Sequence, residues 1–155
     1  MAGEEFQAKP ALLALAVSLS LQIGVNYAND YSDGIRGTDT NRVGPRRITG
    51  SGLATPAKVK SAAFIAFGIA AIAGVALAAI SNWWLIAIGG AAILAAWGYT
   101  GGKNPYGYIG LGELFVFIFF GVVATTGSYF VQTNQIDVKI VAASISMGAF
   151  ACALL

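Results

Sequence analysis

The sequence predicts an all-α membrane protein, a polytopic helical bundle with about five transmembrane helices. Only 10% of its 155 residues are charged and 57% are hydrophobic, whereas a soluble domain carries about 25% charged residues. The mean hydropathy is +0.71. Charge is absent from four long runs, residues 10–29, 61–102, 114–136 and 140–155. A membrane β-barrel would show short alternating segments. These runs are continuous and alanine-rich instead.

A spanning helix needs roughly 20 apolar residues, which sets the elements in order. The first run holds one helix near 11–28. The second is too long for one span and divides at Ser81-Asn82, giving helices near 61–80 and 83–99. The third holds a helix near 114–130. The fourth, near 138–155, reaches the last residue with no polar exit. All five belong to a single membrane domain over 1–155. Gly68, Gly74, Gly89, Gly90, Gly121 and Gly127 predict close helix packing, because small residues let backbones approach in lipid.

The basic residues set the orientation. Loop 30–60 holds Arg36, Arg42, Arg46, Arg47, Lys58 and Lys60, and loop 100–113 holds Lys103; the opposite side has Lys9 and Lys139. Both large loops therefore belong on the cytoplasmic face of the cell membrane, with the N-terminus outside. Trp83 and Trp84 then lie at the far interface, and Tyr99, Tyr106 and Tyr108 at the cytoplasmic one. Residues 1–9 carry Glu4 and Glu5 without a basic n-region, unlike a signal peptide. The net charge of +2 gives no footprint for nucleic acid. One cysteine, Cys152, allows no disulfide framework. The absence of histidine excludes Ser-His and Cys-His catalysis, and any metal must be a hard cation held by oxygen.

Chemistry concentrates between the first two helices. Residues 29–39 hold Asp30, Asp33 and Asp39, three of the seven acids, with Asn29 beside them; Arg36, Arg42, Arg46 and Arg47 follow. Asp30 and Asp33 share a face on a helical extension. Mg²⁺ is commonly held by one or two carboxylates while substrate phosphates and water complete its shell. Arg42 and Arg46, four apart, suit bidentate phosphate contact. A plain solvated connector, with arginines serving topology alone, is the competing reading. Loop 99–113 contains five glycines, Pro105, Lys103 and Glu113. Lys103 can meet the same phosphate, and Glu113 suits a helix N-terminus. Phe115, Phe117, Phe119 and Phe120 can wall an isoprenoid chamber, or simply pack and face lipid.

The two loops together resemble the UbiA superfamily of intramembrane aromatic prenyltransferases. That family's first motif runs Asn-Asp-x-x-Asp-x-x-x-Asp, matched here by Asn29, Asp30 and Asp33. Its fourth position is Gly37, with Asp39 two residues later. This departure, with Gly44-Pro45 and the stretch from Pro105 to Glu113, resembles the menaquinone branch. The resemblance implies a nine-helix fold of which these five helices are the second to the sixth, so the chain reads as a fragment, inactive alone. It implies Mg²⁺ on Asp30, Asp33 and, more weakly, Asp39. It implies diphosphate held by Asn29, Arg42, Arg46 and Lys103, with Asp30, Asp33 and Lys103 catalytic. The implied substrates are polyprenyl diphosphate and 1,4-dihydroxy-2-naphthoate, and the product is demethylmenaquinone. Another acceptor within the superfamily, or a non-enzymatic anion transporter or scaffold, are the alternatives.

Overall fold

The computed structural model describes residues 6–38 and 46–155. Each uncharged run is helical, and no strand occurs among the described residues. The helices are α1 (Ala8–Arg36), α2 (Pro56–Ile80), α3 (Leu85–Gly98), α4 (Gly112–Val116), α5 (Ala124–Thr133) and α6 (Val138–Ala153). A short 3₁₀ turn, Tyr106–Ile109, lies in the loop before α4. A π-helical stretch, Phe117–Val123, joins α4 to α5 in one apolar rod. Three of these rods, Ala8–Arg36, Pro56–Ile80 and Gly112–Thr133, are long and apolar enough to cross a membrane; α3 and α6 are shorter apolar helices.

The largest difference from expectation is α1, which continues eight residues past Ala28. Its 29 residues make a rod about 43 Å long, against roughly 30 Å of hydrocarbon. Asn29, Asp30 and Asp33 therefore occupy the last turns of a helix and not a loop. Gly37 ends it in the left-handed conformation (φ 73°), and its amide donates to the Asp33 and Gly34 carbonyls. The Thr38 amide reaches back to the Asp33 carbonyl. This pattern closes a helix where a Cβ would be strained. Pro56 opens α2, where its missing N–H costs nothing.

Helices α1 and α2 pack through small side chains. On α2, Ala63, Ala66, Phe67, Ala70, Ala73 and Leu77 form a buried stripe at helical spacing. Ala28 of α1 and Ala63 are fully buried, with Phe67 beside them and Leu21, Tyr27, Ile93, Ala96 and Trp97 around. A Cβ at Gly24 would strike the Phe67 ring. On the other side of the bundle, a Cβ at Gly121 would collide with the Gly148 backbone of α6. This close approach lies within the π stretch, whose wider turn has no forewarning in the sequence. Gly68, Gly89, Gly90 and Gly127, by contrast, face no neighbour within 4 Å, so close packing explains only some of the glycines expected to provide it. The far ends of α1 and α5 are tied by Gln7 and Gln132, which exchange three hydrogen bonds of 3.1–3.2 Å.

Asp137 caps α6, accepting from the Lys139 and Ile140 amides at 2.9 Å each. The Ile140 amide is the main cause that holds this carboxyl below its ordinary 3.8; desolvation opposes it, and the Lys139 amide and the Tyr129 hydroxyl add to the lowering. A depressed native pKa contributes stability above the unfolded value that is lost as pH falls through the native one. Asp137→Ala is therefore expected to lower the unfolding temperature at pH 7 and to differ less from the parent at pH 3. Thermal unfolding in detergent at both pH values checks this. In the same assay Gly121→Val should cost about 1–3 kcal/mol by overpacking. Gly127→Ala, with open space around its Cβ, should be neutral or slightly stabilising.

Candidate functional site

Two loops converge on the last turns of α1, and α1 side chains hold both. Asp30 is buried at 5% exposure. Its two carboxylate oxygens accept from the Ile48 and Thr49 amides at 2.8 Å each. Those amides belong to a tight turn over 47–53, closed by Ser51 N to Arg47 O and Leu53 N to Ile48 O. Gly34, one turn beyond Asp30, leaves the space that Thr49 fills; a Cβ there would strike the Thr49 side chain. The first loop is thus seated by one anion on two donors, a charge-assisted arrangement.

The second loop, 99–111, is seated by a different stripe. Asn29 Oδ1 accepts from the Thr100 hydroxyl at 2.7 Å, and Thr100 is buried. Asp33 Oδ1 accepts from the Tyr108 hydroxyl. Arg36 forks onto the carbonyls of Thr100 and Gly102, the latter at 2.7 Å. The Arg36 guanidinium also lies 5.5 Å from the Tyr108 ring centroid, within cation–π range. Asn29, Asp33 and Arg36 are spaced i, i+4, i+7, one face of a helix. The expected pairing of Asp30 with Asp33 on one working face is therefore replaced. Their three-residue offset sends Asp30 to the first loop and Asp33 to the second.

Aromatic stacking stiffens the second loop from behind. Tyr106 lies 4.0 Å from Phe115 and 5.6 Å from Tyr99, centroid to centroid, and Phe115 continues to Phe119 at 6.1 Å. The Tyr106 hydroxyl donates to the Ala95 carbonyl at 2.7 Å. Burial, with Tyr99 adding to it, pushes its phenol up to about 12. Burial also raises the Tyr108 phenol, reinforced by its bond to Asp33 and the charge there. Both phenols stay protonated, hence donors, at neutral pH. Of the phenylalanines weighed as a chamber wall or as packing and lipid-facing side chains, Phe115 and Phe119 serve this ladder, Phe117 packs at Gly148, and Phe120 is exposed.

Of the remaining expected site residues, Arg46 and Lys103 are exposed near these loops' starts. Asp39 and Arg42 lie outside the described residues. Glu113 sits in the first turn of α4, as expected of an anion at a helix N-terminus. Lys60 extends over Tyr31 and Trp97, at 5.5 and 6.0 Å from their centroids. Asp30, expected as a metal ligand, has both oxygens on backbone amides and little exposure. Asn29 and Asp33 share a face; each accepts one hydroxyl on Oδ1, which leaves a further lone pair on Asn29 Oδ1 and the second carboxylate oxygen of Asp33 to suit a hard cation completed by phosphate and water. No group of three His, Cys, Asp or Glu side chains comes together among the described residues. Arg36 was counted in the arginine cluster but given no role of its own, and Thr100 and Tyr108 were not singled out as functional in the sequence. The i, i+4, i+7 step from Asn29 would have found Arg36; nothing local pointed to Tyr108.

The model of the UbiA prenyltransferase family matches residues 1–155, the whole chain. The chain belongs to that family. UbiA-family prenyltransferases are in general divalent-metal dependent, and family membership together with the apolar helices makes this a multi-pass membrane protein. It is 55% identical over 94% of its length to the 1,4-dihydroxy-2-naphthoate octaprenyltransferase of Mycobacterium tuberculosis, covering 50% of that protein. It is 38% identical over 94% of its length to the Escherichia coli protein of the same name, covering 49%. The 2-carboxy-1,4-naphthoquinone phytyltransferase of Synechocystis is 26% identical over 86% of this chain and 43% of its own. The chain thus spans about half the length of these relatives. No solved structure matches it.

Asp30→Asn is expected to free the 47–53 turn. An amide offers one oxygen where two amides need acceptors, and each charge-assisted hydrogen bond contributes about 1.5–3 kcal/mol. Hydrogen exchange at Ile48 and Thr49 should accelerate at least about tenfold, since 1.4 kcal/mol is a factor of ten. Exchange in 99–111 should change little, because a separate stripe holds that loop.

Proposed function

We propose that this chain forms the first-motif half of an enzyme that transfers a polyprenyl group from polyprenyl diphosphate to 1,4-dihydroxy-2-naphthoate. The observation that carries this reading is the Asn29–Asp33–Arg36 stripe with the second loop seated on it, in a chain 55% identical to a relative of that activity. In this reading Asp33, with Asn29 beside it, ligates Mg²⁺, and Asp39 is a third candidate. Asp30 shapes the loop that carries Arg46. When bound, Mg²⁺ supplies neutralisation of the leaving diphosphate.

Arg42, Arg46 and Lys103 hold the diphosphate oxygens. Arginine does so bidentately and lysine as a point charge. Holding that charge favours cleavage of the allylic C1–O bond, whose electron pair leaves with the diphosphate. The allylic cation is then attacked by the naphthoate ring, which loses its carboxylate as CO₂ and gives demethylmenaquinol, the hydroquinone form of demethylmenaquinone. Stabilising charge that develops in the transition state is where such groups contribute most. The loops lie on the cytoplasmic face of the plasma membrane, as seven of nine basic residues fall in them.

The test uses this chain within a polypeptide of its relatives' full length, reconstituted in bilayers. Labelled polyprenyl diphosphate and 1,4-dihydroxy-2-naphthoate should give a prenylated product that EDTA abolishes and Mg²⁺ restores. Asp33→Ala should lower turnover by about 10²–10³-fold at normal expression. Diphosphate binding without Mg²⁺ dependence, or wild-type turnover in Asp33→Ala, would remove the reading.

A further inference from the structure

We infer that Tyr108 is a positioning residue for Asp33, fixing which carboxylate oxygen is offered to a divalent cation. The inference rests on Asp33 as a metal ligand, as proposed above. Tyr108 lies 75 residues from Asp33 in sequence and reaches it with a single hydroxyl, which occupies Oδ1. That leaves Oδ2 as the oxygen without this donor. A carboxylate on the last turn of a helix otherwise turns freely about its terminal bond, whose rotamers are broad. A donor on one oxygen removes that freedom before any cation arrives. Donors of this kind orient metal ligands, and their loss weakens affinity by about 10–100-fold.

Tyr108 is itself held on two sides. Its ring lies under the Arg36 guanidinium, and its 3₁₀ turn is closed by Gly107 N to Tyr99 O at 2.9 Å and Leu111 N to Tyr106 O at 3.3 Å. Arg36, one turn after Asp33, binds the backbone of the same loop through both terminal nitrogens. The hydroxyl thus arrives on a stiff support and not on a swinging side chain. Tyr106, two residues away in the same turn, points instead to Ala95. That contrast supplies the control.

The experiment measures Mn²⁺ binding by electron paramagnetic resonance, with Mg²⁺-dependent turnover alongside, on this chain within a full-length polypeptide in bilayers. Tyr108→Phe should weaken Mn²⁺ binding about tenfold and raise the Mg²⁺ needed for half-maximal turnover, with kcat recovering at saturating Mg²⁺. Tyr106→Phe, which loosens the same loop without touching Asp33, should bind Mn²⁺ as the parent does. Unchanged Mn²⁺ binding in Tyr108→Phe overturns the inference, and so does equal weakening in both variants. A kcat deficit in Tyr108→Phe that saturating Mg²⁺ does not recover also overturns it. Asp33→Asn separates the two levels. If it binds Mn²⁺ like the parent, the ligand reading itself fails. If it loses binding while Tyr108→Phe does not, only the positioning role fails.

Discussion

The rest of the site depends on a division of labour at the end of α1, where one acid and one base satisfy opposite backbone groups. The Asp30 carboxylate takes the donors of the first loop, the Ile48 and Thr49 amides. The Arg36 guanidinium takes the acceptors of the second, the Thr100 and Gly102 carbonyls. Loops between membrane helices carry backbone groups that a helix would otherwise satisfy internally, and leaving them unpaired is costly. Ion-assisted bonds from one rigid rod meet that demand on both sides. The two loops are therefore registered to each other through α1, although they lie far apart in sequence.

The helices rest on less specific forces. Between α1 and α2, alanines and Gly24 bring backbones close enough for dispersion contacts to accumulate. Gly121 against Gly148 does the same for the second group of helices. The aromatic ladder from Tyr99 through Tyr106 and Phe115 to Phe119 links the loop to the rod that follows. The Trp84–Phe130 contact, at 5.2 Å, and the Gln7–Gln132 exchange join the two groups at the opposite end.

Much of this was legible in the residues. Charge-free runs located the helices because lipid tolerates no unpaired charge, and Ser81-Asn82 marked the break between α2 and α3. The acids of 29–39 pointed to the end of α1, and the structure brings the two loops together there. The length of α1 was not legible, because polar residues beyond Ala28 read equally as loop or as exposed helix; the Gly37 terminus decides it. The separate duties of Asp30 and Asp33 were hidden for a geometric reason. A three-residue step moves a side chain about 60° around the axis, and only tertiary contacts show that this crosses from one loop to the other. Tyr108 was invisible because its partner is distant in sequence.

Under the proposed reading, in which the substrate is an amphiphilic diphosphate, the overhang of α1 has a consequence. The helix outruns the hydrocarbon thickness by roughly 13 Å, long enough to carry its acidic turns to the level of lipid headgroups and out of the acyl tails. An isoprenoid diphosphate partitions the same way, with its chain in oil and its anion in water. The protein then need not drag a multiply charged headgroup into a low-dielectric medium, a transfer that would cost several kcal/mol or more per ion. Under that reading, lateral diffusion within the leaflet would deliver the molecule already oriented, and capture would be a two-dimensional search at fixed depth.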